Sequence, residues 1–153
     1  MNTIQLAQTT AEIPFRLLDS LRQVPQEQFL APSLSGGRSL RDVLVHMLIA
    51  EQNWVGHVVL KSEKSPAQLQ DFASVDEIER AWHLVREETM RFLRAATAEQ
   101  LSTTIVDEYE PHITYSAELA LWHWLTHEFF HAGEICLALG LRGIQSFVPE
   151  IIS

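Results

Sequence analysis

The chain holds a single cysteine, Cys136, among 153 residues. That excludes an internal disulfide framework and every Cys-rich zinc module, so a bound metal would have to be held by nitrogen and oxygen. Basic residues are also scarce: 11 Lys and Arg stand against 20 Asp and Glu, for a formal net charge of −9. No stretch concentrates Lys or Arg as a phosphate-tracking surface does, which argues against nucleic acid and anionic membrane as partners. No apolar run approaches the roughly 20 residues needed to span a bilayer, and MNTIQLAQTTAEIP has no basic stretch followed by an apolar one. The expectation is a cytoplasmic protein with one domain over residues 1–153, long enough to close one apolar core.

What is present is helical periodicity in four segments with polar connections. The first runs from about Ile4 to Val24, with Ala11, Phe15, Leu18 and Leu21 inward; Pro14 either kinks it or marks its true first turn. After the helix-breaking VPQEQFLAPSLSGG, Ser39 is an N-cap with Asp42 three residues on, opening a second helix that reaches about Leu60. SVDE at 74–77 is a capping box, and Ile78, Trp82, Val85, Thr89, Phe92 and Ala96 follow at helical spacing as a third helix. TTIVDEY has mild strand propensity but no evident partner. The fourth helix starts near Thr114 or Ser116 and ends at Leu139, with Gly140 as its stop. The pattern predicts an all-α four-helix bundle.

The fourth helix contains HEFFH at 127–131. At about 100° per residue His127 and His131 lie about 40° apart, on adjacent turns, where they can share one ion. Ala120, Glu134 and Ala138 fall on the same side, and small residues there predict a cavity. On the second helix His46 shares a face with Asp42, Ala50, Asn53 and His57, polar groups on an expected buried stripe that would need partners. His46, in the apolar run LVHMLIA, is the third ligand candidate. Alone it would read as a core imidazole bonded to a carbonyl, but two further histidines at i, i+4 favour the ligand role. His57 lies roughly 16 Å further along the axis and cannot reach the same ion. Three protein ligands leave a coordination position for water or substrate, as reactive sites do.

Around that set, Glu134 is placed to accept an N–H from a ligating imidazole. Glu128 is either another such acceptor or a helix-surface residue, with a base role through bound water still open. Asn53, His123 and Trp124, with Trp54, are pocket candidates. Cys136 lies about 180° around the helix from His127 and reads as an apolar filler. HEFFH also matches the zinc-protease pattern, but neither Glu134 nor Glu150 supplies the further ligand in the context a protease needs.

LRDVLVHMLIAEQNW in the second helix followed by HEFFHAGEI in the fourth resembles the DinB-like family of bacterial proteins. That resemblance implies a three-histidine metal site on His46, His127 and His131, with Gly133 and Glu134 matching the Gly-Glu or Gly-Gln that the family carries after its histidine pair. The closing LGLRGIQSFVPEII resembles the family's short tail. Also implied are a bundle with an up-down-down-up course, a divalent metal near one end, and homodimers. Relatives include thiol S-transferases and isomerases that use small cellular thiols such as bacillithiol or mycothiol.

Two function classes remain open. One is a metal-dependent enzyme that activates a small thiol or water for attack on a small electrophile, either a hydrolase or a thiol S-transferase with a low-molecular-weight thiol as co-substrate. The other is a metal-binding or stress-related bundle without turnover; the metalloprotease reading ranks below both. Three imidazoles suit zinc, nickel or iron, and copper as well. On the fourth helix Trp122, Leu125, Phe129, Ala132 and Cys136 form an apolar stripe opposite the histidines, which predicts a homodimer burying it.

Overall fold

The structure, a computed structural model, describes residues 2–146. The first arm of the bundle is two helices, α1 (Thr3–Thr9) and α2 (Ile13–Leu21). Pro14 falls in the first turn of α2, where its missing N–H costs nothing, and the chain breaks just ahead of it. After α3 (Gln26–Leu30) a short turn over Ser35–Gly37 places Gly36 and Gly37 at φ 74° and 75°, a region glycine enters without a Cβ clash.

The second arm begins with α4 (Leu40–Glu51), capped by the reciprocal Ser39 and Asp42 pair anticipated from the sequence. It continues as a π-helical segment, Gln52–Val59, where a regular α-helix to Leu60 was expected. Asn53, Val55, Gly56, Val58 and Val59 are weak α-helix formers, so little local preference opposes the wider winding. The third arm is α5 (Val75–Ala95), opened by the Ser74 and Glu77 box. Then come α6 (Ala98–Ser102), strands β1 (Thr104–Val106) and β2 (Thr114–Ser116), and the fourth arm α7 (Ala117–Gly140). The strand in TTIVDEY does find a partner: β1 and β2 pair antiparallel with Ile105 opposite Tyr115. Ser116 ends that ladder and caps α7, its Oγ accepting from Leu119 N–H at 3.1 Å.

Two apolar clusters make the core. One gathers Leu17, Leu18, Leu44, Leu48, Ile78, Trp82, Ile135 and Leu139; the other gathers Ala7, Val55, Leu93, Leu121, Trp124 and Leu125. On each of three arms a buried charged residue falls between the two: Glu51 on the second, Arg86 on the third, Glu128 on the fourth. Arg86 donates from Nη2 to Glu51 at 2.8 Å and also to Glu128, and from Nη1 to the Ala11 carbonyl at 2.8 Å. Trp82 Nε1–H completes the set on Glu51, also at 2.8 Å. Buried charges persist when paired and hydrogen-bonded in this way.

Burial corrects two expectations about helix faces. On α4 the buried stripe is Leu40, Leu44, Met47, Leu48 and Glu51, whereas His46, Asn53 and His57 are exposed and Asp42 half-buried. The histidine face of the second arm therefore opens to solvent, and its polar residues need no buried partners. On α7 most of the proposed dimer stripe is taken up by its own chain: Leu125 and Ala132 are each 1% exposed and Phe129 and Cys136 pack on the first cluster, while Trp122 stays outside. The apolar residues left outside are Leu119, Trp122, Phe130, Leu137 and Leu141, a face turned about 90° from that stripe. Ala120 and Ala138, expected beside a cavity, are buried, Ala138 within the first apolar cluster. Among the described residues no helix is long and apolar enough to cross a membrane. Residues from Phe147 on, Glu150 included, lie outside the described part.

Candidate metal centre

The centre of the buried face of α7 is occupied by Glu128, and His131 and His127 sit about 60° and 100° around the axis from it. They therefore stand where the buried arc gives way to the open surface, against the exposed face of α4. His46 meets them there. Its Nε2 lies 2.9 Å from His127 Nε2, and its ring centroid is 4.7 Å from that of His127 and 4.9 Å from that of His131. One ligand atom from each of the three falls within 4.8 Å of the others. His131 is buried, His127 half-buried and His46 exposed, so the cluster is closed on one side and open on the other.

The donor set fits a divalent ion. Zinc–nitrogen bonds of about 2.0–2.1 Å in a tetrahedron set ligand nitrogens about 3.3 Å apart. The facing His46 and His127 nitrogens need open by only a few tenths of an ångström from 2.9 Å to reach that spacing. Burial first, then the neighbouring His131 and His46, holds the His127 imidazole down at about 4; burial first, then His131 and the Arg38 charge, lowers His46 as well. Both are thus in the neutral form that coordinates metal. His127 Nδ1 is buried without a hydrogen-bond partner.

His131 is oriented by a chain of contacts reaching back to the loop before α4. Its Nδ1 lies 2.8 Å from Glu134 Oε2. An ionised carboxylate only accepts, so Nδ1 carries the proton and Nε2 keeps its lone pair for an ion. Glu134 Oε1 in turn accepts from Arg38 Nη2 at 2.8 Å. Arg38 is itself pinned: its Nε donates to the Ser35 carbonyl, and its own carbonyl accepts from Ser33 and Leu34 N–H. The left-handed glycines at 36 and 37 make that tight return possible.

The remaining candidates divide. His123 lies 4.3 Å from Trp54 with the rings tilted 52° and stands 6.3 Å from the His127 ring, and Tyr115 is 6.2 Å from Trp54. These form an aromatic rim to the cluster, and Phe130 packs at 5.0 Å on His131. Asn53 is exposed on the π-helical segment. His57 is turned away, its ring nitrogens facing the Ser62 carbonyl and Glu108. Trp124 is not a pocket wall: it is 1% exposed in the second core cluster, with the Arg86 guanidinium 5.3 Å over its ring. Glu128 is neither a surface residue nor a partner of the ligand imidazoles, because it is 3% exposed and bound to Arg86. That removes the general base the HEFFH protease reading requires. Arg38, Glu51 and Arg86 were not singled out from the sequence. Charges of opposite sign on the apolar stripes of α4 and α5 were the signal for the latter two.

Three imidazoles from two arms of a helical bundle, one of them fixed by a carboxylate, define a candidate metal site. The chain belongs to the DinB family, whose model matches residues 1–148. Among solved structures it is similar to YfiT from Bacillus subtilis, described as a probable metal-dependent hydrolase with an unusual four-helix bundle topology. The two share 18% identity with a TM-score of 0.64, over 90% of this chain and 87% of YfiT. No curated protein matches the sequence.

Proposed function

We propose that this chain is a metal-dependent enzyme holding one divalent ion on His46, His127 and His131, and that it uses the ion to activate a small thiol or water for attack on a small electrophile. The observation that carries this reading is the convergence of the three imidazoles within 4.8 Å, exposed on the His46 side. A bound divalent ion lowers the pKa of a coordinated water or thiol and supplies a nucleophile at neutral pH. The chain's own groups do the rest. Glu134 fixes the His131 tautomer, Arg38 holds Glu134, and neutral His46 and His127 present lone pairs toward one point. Trp54, His123 and Tyr115 offer an aromatic rim against which an apolar electrophile can rest. The description of YfiT as a probable metal-dependent hydrolase supports hydrolysis as one form of this chemistry; thiol S-transfer is the other.

The test is incubation of zinc- or nickel-loaded protein with a panel of low-molecular-weight thiols and electrophiles, esters and amides included, beside a His46→Ala variant. Turnover that needs both metal and His46 supports the proposal. Metal binding without turnover on any pair favours the alternative of a non-catalytic metal-binding bundle. We propose further that the protein works as a homodimer joined along Leu119, Trp122, Phe130 and Leu137 of α7 and Leu141 just after it, an apolar face that one bundle leaves in water.

A further inference from the structure

A second hollow in the fold lies away from the histidines. Between the π-helical segment and α5, under residues 61–66, lies a cavity of about 280 Å³ with none of the cluster histidines in its wall. We infer that this cavity binds a small, uncharged, largely apolar molecule bearing one hydrogen-bond acceptor, about the size of a single substituted ring.

Four features point to a ligand. The wall is mainly apolar, from Leu60, Pro66, Ala81, Leu84 and Val85. The volume sits just under the roughly 300–1,000 Å³ of drug-sized pockets, which sets the ligand's size. Gln52, also in the wall, accepts from Ala67 N–H through Oε1 at 2.8 Å, so its amide N–H groups remain as donors for an acceptor on the ligand. Lys64 and Glu88, the charged residues that border the cavity, bond each other at 2.9 Å. The wall therefore offers no unpaired charge to an ionic ligand, which suits a neutral one.

The backbone around the cavity is irregular in the way binding sites are. The wall from Gln52 to Gly56 is π-helical, a winding concentrated at functional positions. Lys61, which leads into the covering loop, has φ 56°, a left-handed conformation unusual for a lysine, and on either side of it Leu60 N–H donates to the Val55 carbonyl and Ser62 N–H to the Gly56 carbonyl, both at 2.9 Å. At Gly56 an added Cβ would meet nothing within 4 Å, so that position opens onto space and has no steric need for glycine. The site does not depend on metal.

The test uses the full chain without metal and acetophenone, a neutral ring with one carbonyl, titrated by amide NMR. Saturable shifts on Gln52, Gly56 and Val85 are expected, with toluene and benzoate each binding at least tenfold more weakly. Gly56→Phe should fill the cavity and abolish binding while leaving the His46 and His127 ring signals unchanged. Should that variant fail to fold, Leu84→Asp at the exposed mouth should weaken binding at least tenfold. No saturable binding, equal affinity in the variant examined, or benzoate binding as tightly as acetophenone would overturn the inference. So would concentration-dependent burial of Leu84 by a second copy, which would make the cavity part of an interface.

Discussion

Replacing Arg86 with methionine removes the cation from a buried cluster while keeping most of the side chain's length. The substitution breaks the bonds to Glu51 and Glu128 and strips the Ala11 carbonyl of its donor. Two carboxylates are left facing each other in the core. Breaking a buried ion pair by removing one partner costs about 3–5 kcal/mol. For a chain of this size that lowers Tm by roughly 6–20 °C. The cost should also depend on pH. Burial pushes the Glu128 carboxyl up to about 7 against the pull of Arg86. A folded-state pKa above the unfolded one, about 4.3, means the folded form holds the extra proton, so stability falls as pH rises through that window. Without Arg86 the folded pKa rises further and the window extends upward. The loss should therefore be larger at pH 8 than at pH 5, measured by urea unfolding of variant and wild type at both. The histidine cluster is the same in both proteins, so the difference isolates the buried charges. A loss below about 1 kcal/mol at pH 8, an ordinary surface-mutation effect, would refute the reasoning, as would equal losses at the two pH values. The triple variant Glu51→Gln, Arg86→Met, Glu128→Gln should recover much of the stability.

Four further outcomes are expected. Zinc titration should show His46→Ala, His127→Ala and His131→Ala each weakening binding by at least about 100-fold, with His57→Ala nearly unchanged; full affinity in His46→Ala would rule out the three-histidine site. Glu134→Gln and Arg38→Gln should each weaken zinc by about tenfold or more in the same titration. In metal-free protein the lowered His127 pKa makes the unfolded chain the better proton binder between about 6.5 and 4, so stability is lost as pH falls through that range. His127→Leu should flatten that acid limb in urea unfolding at pH 6.5 and 4.5. Phe130→Glu or Leu137→Arg should convert the proposed dimer to monomer in sedimentation without changing zinc affinity.

The arms of the bundle were legible because caps and apolar periods are local: Ser39 with Asp42, Ser74 with Glu77, and the Ile78 to Thr89 stripe need no knowledge of tertiary contacts. The candidate ligands were legible for a similar reason, since i, i+4 spacing fixes which side chains share a helix face. What stayed hidden depends on how the arms are rotated against one another. His46 looked inward because its neighbours in LVHMLIA are apolar, yet the buried arc of α4 is centred near Leu44 and Leu48 and leaves His46 at the rim. Glu128 looked like part of the metal motif because it lies next to His127, although about 100° of rotation carries it to the middle of the core. Arg38 is 96 residues from Glu134, and no periodicity links a loop residue to a helix that distant.

The Ala11 carbonyl has a consequence for how this protein opens. It lies at the break between α1 and α2, is buried, and is satisfied by a cation that two other arms also need. Thr3 adds a second tie, its hydroxyl bonding Glu118 at the start of α7. Undocking α1 would therefore admit water directly to Arg86, Glu51 and Glu128, and rehydration of those charges would offset much of the apolar contact given up. The N-terminal segment should accordingly be the first to exchange its amide hydrogens as an independent unit, well before α5 or α7. Shortening the chain by those residues would leave a bundle whose polar centre is wet, with the histidine pair next door on α7 exposed to the resulting slack.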